Sequence, residues 1–326
     1  MKLPRRRFLH VAAAAAALQG VPRTASAQQG YPARPVRIVV PLPAGSAPDI
    51  RVRIIAEGLT RMWGQQVVVE NRPGGGGIIA VQAVLSALPD GYTLLYAVAS
   101  IFTVLPAQRD KPRFDVNRDL IPIGLTSNEG MVFAVSPKLG IDTLGQLITA
   151  AKKNPHQLII GTNPAGSLPH LAAMLFVRLT QAPMIVVPST GGTNEAIREI
   201  MGGRFHAVVE ALLGLRGALD SGDVKALAIM ARDRSPTAPN IPIAAETVPG
   251  LVALGWTAFV APRGIPPAVV AQLTEDLRRV MENPDTRARL ERIGTTPFRP
   301  AFAADLARFI ESEQQLWWPI VQAELR

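Results

Sequence analysis

From Pro35 onward, short apolar runs alternate with segments in which apolar residues recur every three to four positions. The runs VRIVVPL, QVVVENR and YTLLYAV read as buried strands bounded by turn residues. Between the first two, Asp49 to Trp63 carries Ile50, Ile54, Ile55, Leu59, Met62 and Trp63 on one stripe, with Arg51, Glu57 and Arg61 off it. That spacing predicts an amphipathic helix. A glycine-rich turn and a helix over about Ile78 to Ala87 complete a β-α-β-α-β order. Such alternation predicts a mostly parallel sheet with helices on both faces.

A second set of the same kind begins near MVFAVSP. It comprises a helix over about Thr143 to Lys153, the strand QLIIGTN, a helix in HLAAMLFVRL, the strand PMIVVPS, a helix over about Asn194 to Met201, and the strands FHAVVEAL and VKALAIMA. The proline-rich SPTAPNIPIAAETVPG then breaks the pattern, and the chain closes with GWTAFVAPRGIPP and two helices, about Pro267 to Met281 and Ala301 to Glu324. Those helices need a sheet to cover. Returning them to the first unit makes the chain cross between domains twice, near Thr126 and somewhere around Pro236 to Pro249. At 326 residues the chain also exceeds a typical single core. The expected fold is therefore α/β with two domains, each a mostly parallel sheet flanked by helices. The first is discontinuous, residues 28–126 plus 249–326, and the second is 127–248.

Residues 1–27 stand apart from this pattern. A basic start, an alanine-rich apolar run and Ala25-Ser26-Ala27 form a signal peptide, expected to be cleaved near Ala27, and Arg5-Arg6-Arg7-Phe8-Leu9 fits twin-arginine export. The mature chain is expected in the periplasm. Lys2, Arg5, Arg6, Arg7 and Arg23 supply five of the +9 formal charges, so +4 remains beyond residue 27. Without a basic stripe interleaved with aromatics, nucleic acid is not an expected partner. The chain has no cysteine, which excludes disulfides, thiolate metal sites and a lipid-modified cysteine.

Candidate chemistry lies in a motif made twice. PAGSAPD, Pro43 to Asp49, returns as PAGSLPH, Pro164 to His170, and each copy follows a strand and leads into a helix. In a doubly wound sheet, ligands bind beyond the carboxyl ends of strands, where such loops lie. Gly45 and Gly166 permit positive φ and are expected to leave backbone N–H groups uncovered. The helix behind each loop adds unpaired N–H donors and a partial positive charge, which suits an anion. Each loop alone reads first as capping, with Ser46 or Ser167 at the N-cap, Pro in the first turn, and Ser46 with Asp49 resembling a capping box. Together, facing one another from two domains, the loops make a carboxylate grip.

Other features carry less. Gly74 to Gly77 lack the Gly-Lys-Ser/Thr ending of a phosphate loop and read as a turn opening a helix. His156, His170 and His206 include no pair at helical metal-ligand spacing, so no metal or cofactor is expected. Ser46 and Ser167 lack a G-x-S-x-G frame, and no enzyme activity is expected. His206 reads as a packed strand histidine, and Glu210, on the same strand face, is a candidate for the cleft wall. Trp317-Trp318 in the last helix read as packing.

YPARPVRIVVPLPAGSAPDI, GQQVVVENRPGGGGIIA, PDGYTLLYA, LIIGTNPAGSLPHLAAMLF, VPSTGGTNEAI and GWTAFVAPRGIPP, at their spacing, resemble the tripartite tricarboxylate transporter receptors, the Bug-type periplasmic solute-binding proteins. The resemblance covers nearly all of the mature chain. It implies a Venus-flytrap fold of the type II periplasmic-binding class, with a small organic carboxylate held between two domains and passed to membrane transporter subunits by a monomer. A ligand-dependent sensor for a membrane signalling protein is the alternative. In that family the two loops hold one carboxylate through backbone N–H groups and ordered waters. The resemblance carries over Ala44, Gly45, Ser46 and Ala47, then Gly166 and Ser167, as contacts, with Asp49 and His170 at the helix starts. Pro43, Thr162, Asn163 and Ala165 join them from the same loops, and Ser100, Ser189 and Glu210 complete the candidate set. Several positions depart from the usual family pattern. Ser46 and Pro164 replace glycines, Val98-Ala99-Ser100 is more apolar, Ser189-Thr190 replaces Tyr-Lys, and His206 and Glu210 replace aspartates. These departures point away from citrate or dicarboxylate specificity and toward a monocarboxylate with an apolar or aromatic body.

Overall fold

The first elements are β1 (Val36–Val40), α1 (Ala47–Trp63), β2 (Val67–Asn71), α2 (Ile78–Leu85) and β3 (Thr93–Val98), the expected alternation. Two short helices follow, α3 (Ala99–Thr103) and α4 (Val116–Asp119), and then β4 (Leu120–Val135). The second set is α5 (Leu144–Lys153), β5 (Ile159–Thr162), α6 (Leu168–Thr180), β6 (Ile185–Pro188), α7 (Gly192–Met201), β7 (Ala207–Ala211), α8 (Leu212–Asp220) and β8 (Lys225–Met230). The chain closes with β9 (Leu254–Pro262), α9 (Pro267–Glu282), α10 (Pro284–Arg292) and α11 (Ala304–Glu324). This computed structural model describes residues 30–107, 112–189, 191–295 and 301–324. The expected signal peptide over residues 1–27, its cleavage site and Thr190 lie outside the described residues. Among the described residues no helix is long and apolar enough to cross a membrane.

The strands pair in the order β2-β1-β3-β9-β4-β7-β5-β6, with β8 also on β4. Pairing is parallel in the flanks, β2-β1-β3 and β6-β5-β7. It is antiparallel wherever β4 or β9 takes part. The parallel order expected from alternation thus holds outside these two strands, whose job is to carry the chain between the flanks. β4 has 16 residues and serves both: through Gly130 it pairs with β9, and from Met131 it pairs with β7 and β8. It changes partners at Gly130 and Met131, and the return runs between Met230 and Leu254.

A register shift between Leu125 and Ser127 inserts Thr126 into the β4–β9 ladder. An inserted residue places two successive side chains against one on the partner. Here Thr126 Oγ1 donates to the Thr257 carbonyl at 3.0 Å, while the Ser127 and Thr257 hydroxyls meet at 2.7 Å. Tyr96 adds its hydroxyl at 2.8 Å from Thr257 Oγ1. This buried hydroxyl cluster sits where the two flanks join, with its polar groups satisfied by one another. Around it the core is apolar, with Tyr96, Phe133, Phe176, Trp256, Phe259 and Trp317 among the largest fully buried side chains. Trp317 packs, as expected of it.

Candidate functional site

The two PAGS loops reach one cavity of about 630 Å³. From the first loop, Pro43, Ala44, Gly45, Ser46 and Ala47 line it; from the second, Asn163 and Ser167; and Ser100 and Glu210 join from α3 and β7. The remaining expected site residues, Asp49, Thr162, Ala165, Gly166, His170 and Ser189, do not line it. The loops lie at the carboxyl ends of β1 and β5, in opposite flanks of the sheet, and each turns directly into a helix.

The expectation that Gly45 and Gly166 leave their N–H groups uncovered is corrected. Both glycines do take positive φ, +79° and +78°. Gly45 N–H, however, donates to Asp49 Oδ2 at 2.8 Å, and Gly166 N–H donates to His170 Nδ1 at 3.3 Å. The serine amides are also used, from Ser46 to the Pro43 carbonyl at 3.3 Å and from Ser167 to the Pro164 carbonyl at 3.0 Å. Each loop therefore closes on itself, with the residue four positions after the glycine as the acceptor. Asp49 and His170 shape the loops from behind rather than facing the cavity.

Asp49 is further held by Arg53 Nε at 3.1 Å and Asn71 Nδ2 at 2.9 Å. Burial alone would raise its carboxyl, but the bonds from Arg53, the Gly45 amide and Asn71 outweigh that and hold it below the usual carboxylate range. Burial lowers the His170 imidazole, which keeps Nδ1 free to accept. Ser46 occupies the N-cap of α1, yet its hydroxyl makes no cap bond, so the capping box expected with Asp49 does not form. The Ser167 hydroxyl does accept from the His170 amide, at 3.5 Å. The Ser46 Oγ is buried and meets no partner among the described residues.

What the loops offer a ligand follows from this accounting. Ala47 and Leu168 are the first residues of α1 and α6, where N–H groups have no intrahelical acceptor. Pro48 and Pro169 follow and have no N–H to compete. Two helix N-termini, two N–H donors and the unpaired Ser46 hydroxyl thus border one cavity, an arrangement that suits an oxyanion. Apolar surface from Leu42, Val98, Met131, Leu168, Leu213 and Trp256 lines the rest.

Other expected positions serve the frame. Thr162 is buried, its hydroxyl donating to the Asn163 carbonyl at 3.0 Å while its carbonyl accepts from the Ser189 amide at 3.0 Å. Ser189 gives its hydroxyl to Glu195 at the start of α7. His206 is not the packed strand histidine expected: it lies just before β7 and is half-buried, and its Nδ1 accepts from the Ile159 amide at 3.2 Å. Gly75 to Gly77 form a turn that runs into α2.

The sequence reading missed a buried ion pair. Arg51, placed off the apolar stripe, is 4% exposed, whereas Ile50 and Met62, placed on it, are 37% and 40% exposed. Arg51 Nη2 donates to Glu129 Oε1 at 2.8 Å and Nε donates to Thr295 Oγ1 at 3.1 Å. Both charged residues line the cavity, as do Ser127, Thr193 and Thr257. The one signal for Glu129 was an acid inside the strand-like run TSNEGMVFAV. For Arg51 the helical stripe itself misled, because the buried face of α1 runs through Arg51, Val52, Ile55 and Leu59, displaced from the line through Ile50 and Met62.

Comparison with known proteins gives the family to which the chain is similar. Residues 51–325 match the tripartite tricarboxylate transporter family receptor, TctC. Protein BugT of Bordetella pertussis is 34% identical over 297 residues, covering 90% of each chain. A Rhodopseudomonas palustris protein solved with adipate superposes with a TM-score of 0.82 at 28% identity, covering 90% of this chain and 97% of that one. MatC from the same organism, solved with bound malate, gives 0.78 at 28% identity over 89% and 100%.

Proposed function

The chain belongs to the tripartite tricarboxylate transporter receptor family, whose members are substrate-binding proteins and not enzymes, and from that premise we propose how it holds and delivers its solute. It is a solute-binding receptor of the periplasmic type. The solute is a small organic carboxylate. Its acid group lies between the PAGS loops, accepting the N–H groups of Ala47 and Leu168 and the hydroxyls of Ser46 and Ser167. Residues 28–126 with 249–326 act as one domain and 127–248 as the other, hinged where β4 changes partners and where the chain returns to β9. The chain is exported by its N-terminal segment, works as a monomer in the periplasm, and hands the closed, loaded form to the membrane subunits of a tripartite tricarboxylate-type transporter.

One observation carries this reading: two loop-to-helix turns that share PAGS, rooted in opposite flanks of the sheet, reach one cavity, and their first helical amides have no partner among the described residues. The adipate and malate in the solved relatives are acids of the size the cavity would hold. Each helix end contributes about 0.3–1 kcal/mol to a nearby carboxylate, and hydrogen bonds to a charged group add about 1.5–3 kcal/mol each. Together these reach about micromolar affinity. A thermal melting scan against a panel of carboxylates tests the reading. At 100 times its Kd, a true ligand adds about 2.7 kcal/mol of stability. Ser167→Trp, which blocks the second loop, should remove that gain, and a variant that responds as well as the parent would exclude the second loop from the site.

A further inference from the structure

The carboxylate grip leaves one charged wall of the cavity without a task. Glu210 is the next-to-last residue of β7, just before α8, and is 8% exposed. Its Oε2 accepts from Asn163 Nδ2 at 2.6 Å and from Thr193 Oγ1, and its Oε1 accepts from the Ala211 amide at 2.7 Å. A Cβ at Gly214, in the first turn of α8, would come within 2.9 Å of Glu210 Cγ, so the side chain lies over that turn. Thr193, in the first turn of α7, brings a second helix N-terminus to the same carboxylate. Helix N-termini favour anions, and here the chain fills that place with its own.

Charge accounting points the same way. Among the described residues lining the cavity, Arg51 is the one cation, and it is paired with Glu129. No cation among the described residues pairs with Glu210. Burial therefore pushes the Glu210 carboxyl up from its usual range, against the pull of Thr193, the Ala211 amide and Asn163. A second carboxylate on the ligand would meet like charge here, with the donors that could receive it already engaged. An ammonium group would find an uncompensated carboxylate whose Oε1 has a single donor among the described residues. We propose that Glu210 determines specificity, selecting monocarboxylates that carry an amino group at their far end and rejecting dicarboxylates of the same length. This rests on the reading of the two loops as the carboxylate grip.

Isothermal titration of the purified protein with three matched series tests the proposal: straight-chain ω-amino acids of three to six carbons, the corresponding dicarboxylates, and the unsubstituted acids. The parent should bind at least one ω-amino acid about tenfold or more tightly than its dicarboxylate counterpart. Glu210→Gln, similar in size but uncharged, should reduce that preference about tenfold, chiefly by weakening the amino acid relative to the unsubstituted acid of the same length. Glu210→Asp keeps the charge and should retain the preference. A parent that binds dicarboxylates as tightly as amino acids, or a preference that survives Glu210→Gln, overturns the assignment. Binding of none of these acids, or binding that persists in Ser167→Trp, would instead sink the two-loop grip and this inference with it.

Discussion

Asp49 and His170 do the same job with different chemistry. Each accepts the N–H of the glycine four residues earlier and so holds a loop in its positive-φ turn. The aspartate is held ionised by Arg53, Gly45 and Asn71, so the first loop keeps its clamp through the neutral and mildly acidic range. The histidine must be neutral at Nδ1 to accept, and burial lowers its pKa from the usual 6.5. A lowered histidine pKa means that the unfolded chain binds the proton more readily, so its contribution to stability is present above about 6.5 and falls as pH drops through that value toward the folded one. Urea unfolding at pH values from about 7.5 to about 5.5 should show this loss in the parent and a smaller one in His170→Gln. Parallel curves for the two proteins would show that His170 does not titrate against its loop. Both acceptors were legible as residues at helix starts. That they turn inward and consume the glycine amides was not, because a sequence gives spacing and not the direction a side chain takes.

At the scale of elements, periodicity located most of the helices and strands, since long apolar stripes and short β-branched runs are hard to satisfy otherwise. The helix over Asn194 to Met201 and the strand FHAVVEAL, for instance, correspond to α7 and β7. The first half of β4, LIPIGLTSNEG, mixes Pro, Gly, Asn and Glu with apolar residues and carries no strand signal of its own. The Thr126 and Ser127 hydroxyls and the Glu129 carboxylate find partners distant in sequence, Tyr96, Thr257 and Arg51, which local pattern cannot supply. The Arg51–Glu129 pair ties α1 to β4 with both side chains 4% exposed. Glu129→Ala leaves a buried guanidinium without its partner and should lower stability by about 3–5 kcal/mol, whereas the double change Arg51→Met with Glu129→Met should cost far less. Chemical denaturation of the single and double variants measures both, and equal losses would mean that the two charges are not coupled.

For the molecule as a whole, β4 and β9 are the members that both flanks share, and the cavity lies beside them, bordered by Ser127, Glu129 and Thr257. On the proposed reading, such a groove lets two walls approach one ligand without breaking either flank's own pairing. On that reading the repeated PAGS motif supplies one turn for each wall, each leading into a helix whose first amide has no partner among the described residues. The direct measurement is a two-dimensional amide NMR titration of the isotopically labelled protein with the tightest-binding carboxylate, following Ala47 and Leu168. Both resonances should move strongly downfield with the same Kd, because one acid group accepts both bonds. Movement of one amide alone, or of neither while the ligand still binds, would contradict the grip from two walls.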